Sequence, residues 1–441
     1  MYSFDWSHAC AGRLSAFSLS PERRADAAAR LADELTAGEL PFLDLPYADE
    51  LCRALTDLEP RLHGCKHMLV LGIGGSALGA RALQKAFFPQ QDRPGHAGPW
   101  LWILDNVDPA ELEAMLNGLS PAETLVVVIS KSGGTIETLS QYFFVRDWLR
   151  NALAERWTEH LLLVTDARNG FLREEARRLD CLSLPVPDHL GGRYSVLSAV
   201  GLVPAAFLGL PWRDLIAGAR EVNAALTARP GPNELAAHPA WTLAEWAYSL
   251  AQNGYNQLIF FMYIPAWAAF GQWFAQLWAE SLGKNGRGTM PLAAVGVTDQ
   301  HSLQQMFLDG PRDKGCIQIF STATPGGPVF PPNLPDAWKW LENRPFGDLL
   351  DAECLGAAAA LTHHKTPLTR LAFSATDARA AGSLMGLCMA ATLFTGWLLD
   401  INPLDQPAVE LGKRLACARL GAQAHEEERR MLAAFAGRTA S

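Results

Sequence analysis

Short apolar runs alternate with longer amphipathic segments along most of this chain. In the first half the runs occupy residues 67–73, 101–104, 125–129 and 161–164, and segments 77–86 and 136–153 between them repeat apolar residues at helical spacing. Strands buried on both faces are continuously apolar, and their alternation with helices predicts parallel sheets covered on both sides. The pattern resumes with candidate strands at 258–262, 292–297, 316–320 and 371–373 and helices at 267–282, 300–308 and 378–399. Two successive α/β units follow, divided by the Pro- and Gly-rich stretch RPGPN at 229–233. An early helix spans 21–37, with Ser20 to cap it, Pro21 in the first turn and Gly38 at the stop. The expected division is an N-terminal helical arm (1–45), two α/β domains (46–228 and 229–415) and a C-terminal helical tail (416–441). A single helix is expected over 410–436, and a Pro- and Gly-rich loop over 322–335.

Two charge-free stretches pass for membrane spans at first sight. Residues 258–279 contain Pro265, Gln272 and Gln276, and the 20 uncharged residues of 380–399 are rich in Ala, Gly, Ser and Thr. Neither flank of the second carries a basic bias, so both are assigned to buried core and no membrane partner is expected. Composition narrows the function further. The chain has 441 residues, 49% of them hydrophobic and 19% charged, and a formal charge of −9, which argues against a nucleic-acid partner. Its eight cysteines stand at 10, 52, 65, 181, 316, 354, 388 and 417 with no CxxC pair and no metal-ligand spacing with histidine. Scattered thiols, together with an N-terminus lacking a basic start and apolar stretch, predict a cytoplasmic protein without a metal site.

Ligands of parallel sheets bind beyond the carboxyl ends of strands. Two loops stand there. LGIGGSALGA (71–80) brings glycine backbone and a helix start to an anion, with Gly75 and Ser76 at its centre. Its Gly72, Gly74 and Ala77 also match the weak dinucleotide pattern GxGxxG/A, and a plain strand-to-helix turn has the same composition. ISKSGGTIETL (129–139) adds the hydroxyls of Ser130, Ser132 and Thr135, the charge of Lys131 and two more glycines. Converging hydroxyls and amides suit a phosphate monoester. The competing reading is an ordinary N-cap of helix 136–153 by Thr135.

With these loops in view the sequence resembles the glucose-6-phosphate isomerase family, over about 66–415 and in the size range of its shorter bacterial members. GIGGSALG and SKSGGTIET resemble the family's phosphate-side motifs. GGRYSVLSAVGL (191–202), QLWAESLGK (276–284), TDQHSLQQMFLDGP (298–311) and DQPAVELGK (405–413) resemble the remaining four, in the same order. Many longer members carry a threonine-rich version of the SKSGG loop. The resemblance implies two sugar-isomerase (SIS) type three-layer αβα domains, flavodoxin-like, each with a parallel sheet. It also implies an aldose–ketose isomerase that passes through an enediol and needs no cofactor.

The chemistry asks for the same residue types. Moving a proton between C2 and C1 needs one carboxylate, and the resemblance gives that role to Glu280. Read alone, Glu280 is sooner a helix-surface partner of Lys284 at i+4. The resemblance places Arg193 beside the developing enediolate charge; read alone, a buried structural ion pair competes with that role. The resemblance assigns His301, an imidazole of the type that serves as general acid and base, and Lys413 to opening the sugar ring. Gly75, Ser76, Ser130, Lys131, Ser132 and Thr135 are expected around the phosphate, and Gln276 and Gln406 against substrate oxygens. The resemblance further implies a homodimer in which His301 reaches the neighbouring subunit's site.

Three other readings compete. A dinucleotide-dependent dehydrogenase would use Asp105 after the second strand, but leaves SKSGGT, Arg193, Glu280 and His301 without a task. A non-catalytic sugar-phosphate sensor needs the loops and not the base. A bifunctional relative would accept mannose 6-phosphate as well. The amidotransferase relatives of the SIS class need Cys at position 2, where Tyr2 stands.

Overall fold

The computed structural model describes residues 2–323, 326–423 and 425–439; the end of the expected tail and positions 324 and 325 of the expected loop lie outside them. Among the described residues, ten strands form two five-stranded sheets. They are β1 (Tyr2–His8), β2 (His67–Leu71), β3 (Trp100–Leu104), β4 (Thr124–Ser130), β5 (Leu161–Asp166) and β6 (Leu182–Val186), then β7 (Gln257–Met262), β8 (Met290–Val295), β9 (Lys314–Ser321) and β10 (Leu368–Phe373). One sheet has the order β3-β2-β4-β5-β6 and the other β1-β10-β9-β7-β8. Every pairing is parallel except that of β1 with β10.

The expected α/β architecture with parallel sheets is the one observed, and side-chain alternation explains its layers. Met68 and Val70 of β2, Leu125 and Val127 of β4, and Phe260 and Ile317 of the second sheet all point into one shared core. Leu69, Val126 and Leu163 point the other way into a separate cluster over the first sheet. Ile259, Phe261 and Cys316 do the same over the second. The central strands β2, β4, β5 and β7 are thus buried on both faces, as their apolar runs require. Ala378–Leu398 fills the middle layer between the sheets. Among the described residues it is the one helix long and apolar enough to cross a membrane, and its apolar window is wholly buried within the chain. Its small residues have a packing reason: a Cβ on Gly382 would lie 1.9 Å from the carbonyl oxygen of Leu215 on the neighbouring Trp212–Thr227 helix.

Three expectations need correction. The N-terminal arm is not helical throughout, because residues 2–8 add an antiparallel edge strand to the second sheet. YSFDWSH alternates at period two, and Tyr2, Phe4 and Trp6 turn inward onto the shared core. The helix expected over 410–436 is broken into Glu410–Arg419 and Glu426–Thr439, with Gly421 at positive φ between them. Strand β6 is absent from the elements that the pattern predicts; its exposed Pro185 interrupts the apolar run, which is tolerated because β6 is a sheet edge.

Candidate active site

The chain leaves β2 at Leu71, turns through Gly74–Ser76 and enters the helix Leu78–Phe87. Ala77 at the helix start supplies no side-chain cap. The first amides and the positive end of the dipole therefore face the loop without a side-chain acceptor, which suits an anion. Gly75 lies so close to the next motif that a Cβ there would fall 2.3 Å from the backbone carbon and oxygen of Gly192 and 2.7 Å from the nitrogen of Arg193. Only glycine permits that contact. A Cβ on Gly74 would likewise meet Gln276 Nε2 at 2.8 Å. The first loop is thus packed directly against the Arg193 turn and the helix Phe270–Leu282.

The second loop leaves the adjacent strand β4 at Ser130. Ser130 Oγ lies 2.8 Å from Thr135 Oγ1, and Ser132 Oγ accepts from the Gly134 amide at 3.2 Å. Thr135 occupies the N-cap position of Ile136–Leu153, yet its hydroxyl does not cap the helix. The amides at this second helix start are again without a side-chain cap. Lys131 is half-buried, and desolvation pulls its ammonium below the ordinary lysine value despite the opposing pull of Asp166 and Asp188. A bound anion would offset that cost.

Glu280 sits near the end of Phe270–Leu282, one turn after Gln276. Gln276 Nε2 donates to Glu280 Oε1 at 3.0 Å, and Arg193 Nη1 approaches Glu280 Oε2 at 3.4 Å. The Arg193 side chain is 1% exposed, whereas that of Glu280 is 32% exposed. Only the carboxylate therefore opens to an incoming molecule. Arg193 is held from behind: Nε donates to Ser281 Oγ at 2.7 Å, Nη1 to Gln406 Oε1 at 2.7 Å, and Nη2 to the carbonyls of Pro403 at 2.6 Å and Asp405 at 2.9 Å. Tyr194, wholly buried, places its hydroxyl 3.2 Å from the same Ser281 Oγ, and burial pushes its phenol up. Ser281 is not among the residues that the sequence singles out, although it stands inside the ESLGK motif.

The helix-surface alternative for Glu280 is not what forms. Lys284 turns instead to Asp405 Oδ1 at 2.9 Å. Asp105, the ribose-binding candidate of the dehydrogenase reading, is bridged by Arg81 at 3.0 Å. The structure therefore brings together Gly75, Ser76, Arg193, Gln276, Glu280 and Gln406, with Ser130, Lys131, Ser132 and Thr135 on the adjoining loop. It does not bring His301 or Lys413 to that centre. His301 is exposed at the end of the turn Thr298–His301 after β8. Its neighbours are fastened: Asp299 Oδ2 accepts from the Val295 amide at 2.7 Å and Gln300 Nε2 donates to the Tyr263 hydroxyl at 2.6 Å. Lys413 lies half-exposed on Glu410–Arg419, ion-paired with Glu410 at 2.8 Å.

Comparison with known proteins identifies the family. The phosphoglucose isomerase family model matches residues 62–307, more than half of the chain. A protein named glucose-6-phosphate isomerase from Carboxydothermus hydrogenoformans is 35% identical over 92% of this chain and 90% of its own length. A crystal structure from Thermus thermophilus, described as a hypothetical protein, superposes with a TM-score of 0.83 at 31% identity, covering 96% of this chain and all of that one. The glucose-6-phosphate isomerase of Chlamydia trachomatis shares the fold, with a TM-score of 0.68 at 22% identity over 94% and 80% of the two chains. The chain belongs to the phosphoglucose isomerase family.

Proposed function

We propose that this protein interconverts glucose 6-phosphate and fructose 6-phosphate by moving a proton between C2 and C1. One observation carries the reading. The Gly75 backbone packs on Gly192–Arg193, so an anion-binding loop and the Arg193–Glu280 pair lie a single residue apart. A sugar anchored by its phosphate at the two loops extends its other end toward Glu280. The carboxylate removes the C2 proton and returns it to C1, while charge accumulates on the substrate oxygens and is met by Arg193. All five guanidinium N–H donors already have acceptors: Ser281, Gln406, Glu280, Pro403 and Asp405. The 3.4 Å contact to Glu280 is the longest of these. It is the one to be exchanged for a substrate oxygen, which also frees the carboxylate to act as base.

Opening the closed ring requires a proton donor and acceptor at the ring oxygen and O1. We assign these steps to His301, supplied by a second copy of the chain, and to Lys413. Support comes from the outward projection of His301 and from Val409, Leu411, Leu420, Met431 and Phe435, large apolar side chains exposed on or beside the C-terminal helices. Exposed apolar side chains on neighbouring elements suit a contact with a second copy. The assignment makes a quantitative prediction. If each site takes Glu280 from one subunit and His301 from the other, mixing inactive Glu280→Gln and His301→Ala proteins through unfolding and refolding restores one intact site in each mixed dimer. About a quarter of wild-type activity should return. No recovery in verified mixed dimers would show that both residues act within one subunit.

The activity itself is tested by following glucose 6-phosphate formed from fructose 6-phosphate through a coupled reaction, with and without a chelator. Turnover unaffected by the chelator is expected. A folded protein that binds fructose 6-phosphate and never releases the aldose would be a sensor rather than an enzyme. Running the assay with mannose 6-phosphate decides whether the pocket tolerates inversion at C2.

A further inference from the structure

Lys284 is absent from the roles assigned so far, yet it is fixed as firmly as any side chain in the site. It lies just beyond the helix that carries Glu280, its side chain only 10% exposed. An ammonium group has three N–H donors. Here they meet three acceptors: the Ser281 carbonyl at 3.0 Å, Asp405 Oδ1 at 2.9 Å and the Asn402 carbonyl. Burial nevertheless pulls the ammonium below the ordinary lysine value, with Asp405 opposing and the nearby Arg193 adding to the fall. Two like charges are held close together, so something other than mutual attraction must place them.

What they share is the segment 402–406. Arg193 holds that segment at the carbonyls of Pro403 and Asp405 and at the Gln406 side chain. Lys284 holds it at the Asn402 carbonyl and the Asp405 carboxylate. Ser281 joins the two cations, giving its carbonyl to Lys284 and its hydroxyl to Arg193. The segment has no helix or strand of its own before Pro407, and Asn402, Asp405 and Gln406 are exposed. Without Lys284 the loop carrying the acceptors that aim the Arg193 guanidinium would lose its ties at Asn402 and at the Asp405 carboxylate.

We propose that Lys284 is a positioning residue: by pinning residues 402–406 to the end of the catalytic helix, it fixes the orientation of Arg193 toward Glu280. The inference rests on the isomerase reading for its kinetic consequence, but not for its structural one. The phosphate end is held by loops that Lys284 does not touch, so its loss should act on kcat and spare substrate capture.

The test uses Lys284→Met and Lys284→Arg in the full-length protein. Lys284→Met should lower kcat for fructose 6-phosphate roughly 10- to 100-fold, the scale of a small misplacement in a preorganised site, with KM changed less than about threefold. Lys284→Arg, which keeps charge and donors, should recover most of that loss. Amide hydrogen exchange read by mass spectrometry should quicken in peptides over 191–195 and 402–406 and stay unchanged over 72–79 and 130–135. Unchanged kcat and exchange in Lys284→Met would overturn the proposal. So would equal loss in both variants accompanied by exchange quickened throughout the chain, which marks a purely structural role. An inactive wild-type protein would refute the isomerase reading, whereas the exchange pattern would still decide the role of Lys284.

Discussion

Replacing Glu280 by Gln is expected to abolish exchange of solvent tritium into C2 of the sugar while fructose 6-phosphate still binds. General acid–base groups contribute about 10²- to 10⁴-fold, and an amide has no basic site near neutrality, so turnover should fall toward the upper end of that range. The fold has reason to accept the change. Glu280 Oε1 takes its hydrogen bond from Gln276 Nε2, and Gln276 Oε1 is buried with no partner among the described residues. Rotating the Gln276 amide by half a turn would present that oxygen to the new NH₂ group. Arg193 keeps its four other acceptors. The stability cost should therefore stay near or below about 1 kcal/mol, as for other partly exposed pairs. Isotope exchange measured at saturating fructose 6-phosphate separates the outcomes. Persistent exchange in the folded variant would take the proton-transfer role away from Glu280 and give it to another group.

Much of this site is legible in the sequence because its parts lie in short, chemically distinctive segments. The two glycine and hydroxyl loops follow uncharged runs, and the strand-to-helix transition alone places them at the carboxyl edge of a parallel sheet. Strands β2, β4, β5 and β7 are visible for the same reason: burial on both faces leaves no room for a charged residue. Strand β10 shows only over its last three residues, since Thr369 and Arg370 break its apolar run; Arg370 Nε donates to Gln318 Oε1 at 2.7 Å and the guanidinium lies over the Phe320 ring. Strand β1 escapes detection although its alternation is plain, because pattern does not reveal that the first residues will pair with β10, some 360 positions away.

The centre itself is less legible. Nothing in the spacing of Arg193, Glu280 and Gln406 says that they meet, because the meeting is made by tertiary packing of the Gly75 turn on Gly192. Motif resemblance supplies what periodicity cannot. Even so it names the residues facing substrate and passes over those behind them. Ser281, Lys284 and the carbonyls of Pro403 and Asp405 have no distinctive side-chain chemistry, or none that differs from a surface serine or lysine. Their importance is visible only as a count of donors and acceptors around one buried guanidinium.

That count also sets the second large effect. Arg193→Lys keeps a positive charge and removes the fork, so at most three of the five acceptors can be served. The Pro403 carbonyl is the difficult one, since its contact is buried, and a buried acceptor left unpaired costs about 1–3 kcal/mol. A stability loss of roughly 2–4 kcal/mol is expected, measurable by denaturant titration. Catalysis should suffer beyond that. Loss of one preorganised donor at a developing oxyanion costs about 10²- to 10³-fold in kcat, and Lys cannot offer a substrate oxygen an N–H while holding Gln406. Ser281→Ala provides the comparison, since it removes the Nε acceptor and leaves the guanidinium in place. If Arg193 is only a structural ion pair, both variants should lose stability and retain kcat when assayed well below their unfolding transitions. If it stabilises the enediolate, Ser281→Ala should stay within about tenfold of wild type while Arg193→Lys, equally folded at the assay temperature, falls at least a further tenfold. Full turnover by folded Arg193→Lys would leave the charge on the intermediate without its proposed counterpart. The base at Glu280 would then have to work beside a guanidinium whose sole task is to hold the loop.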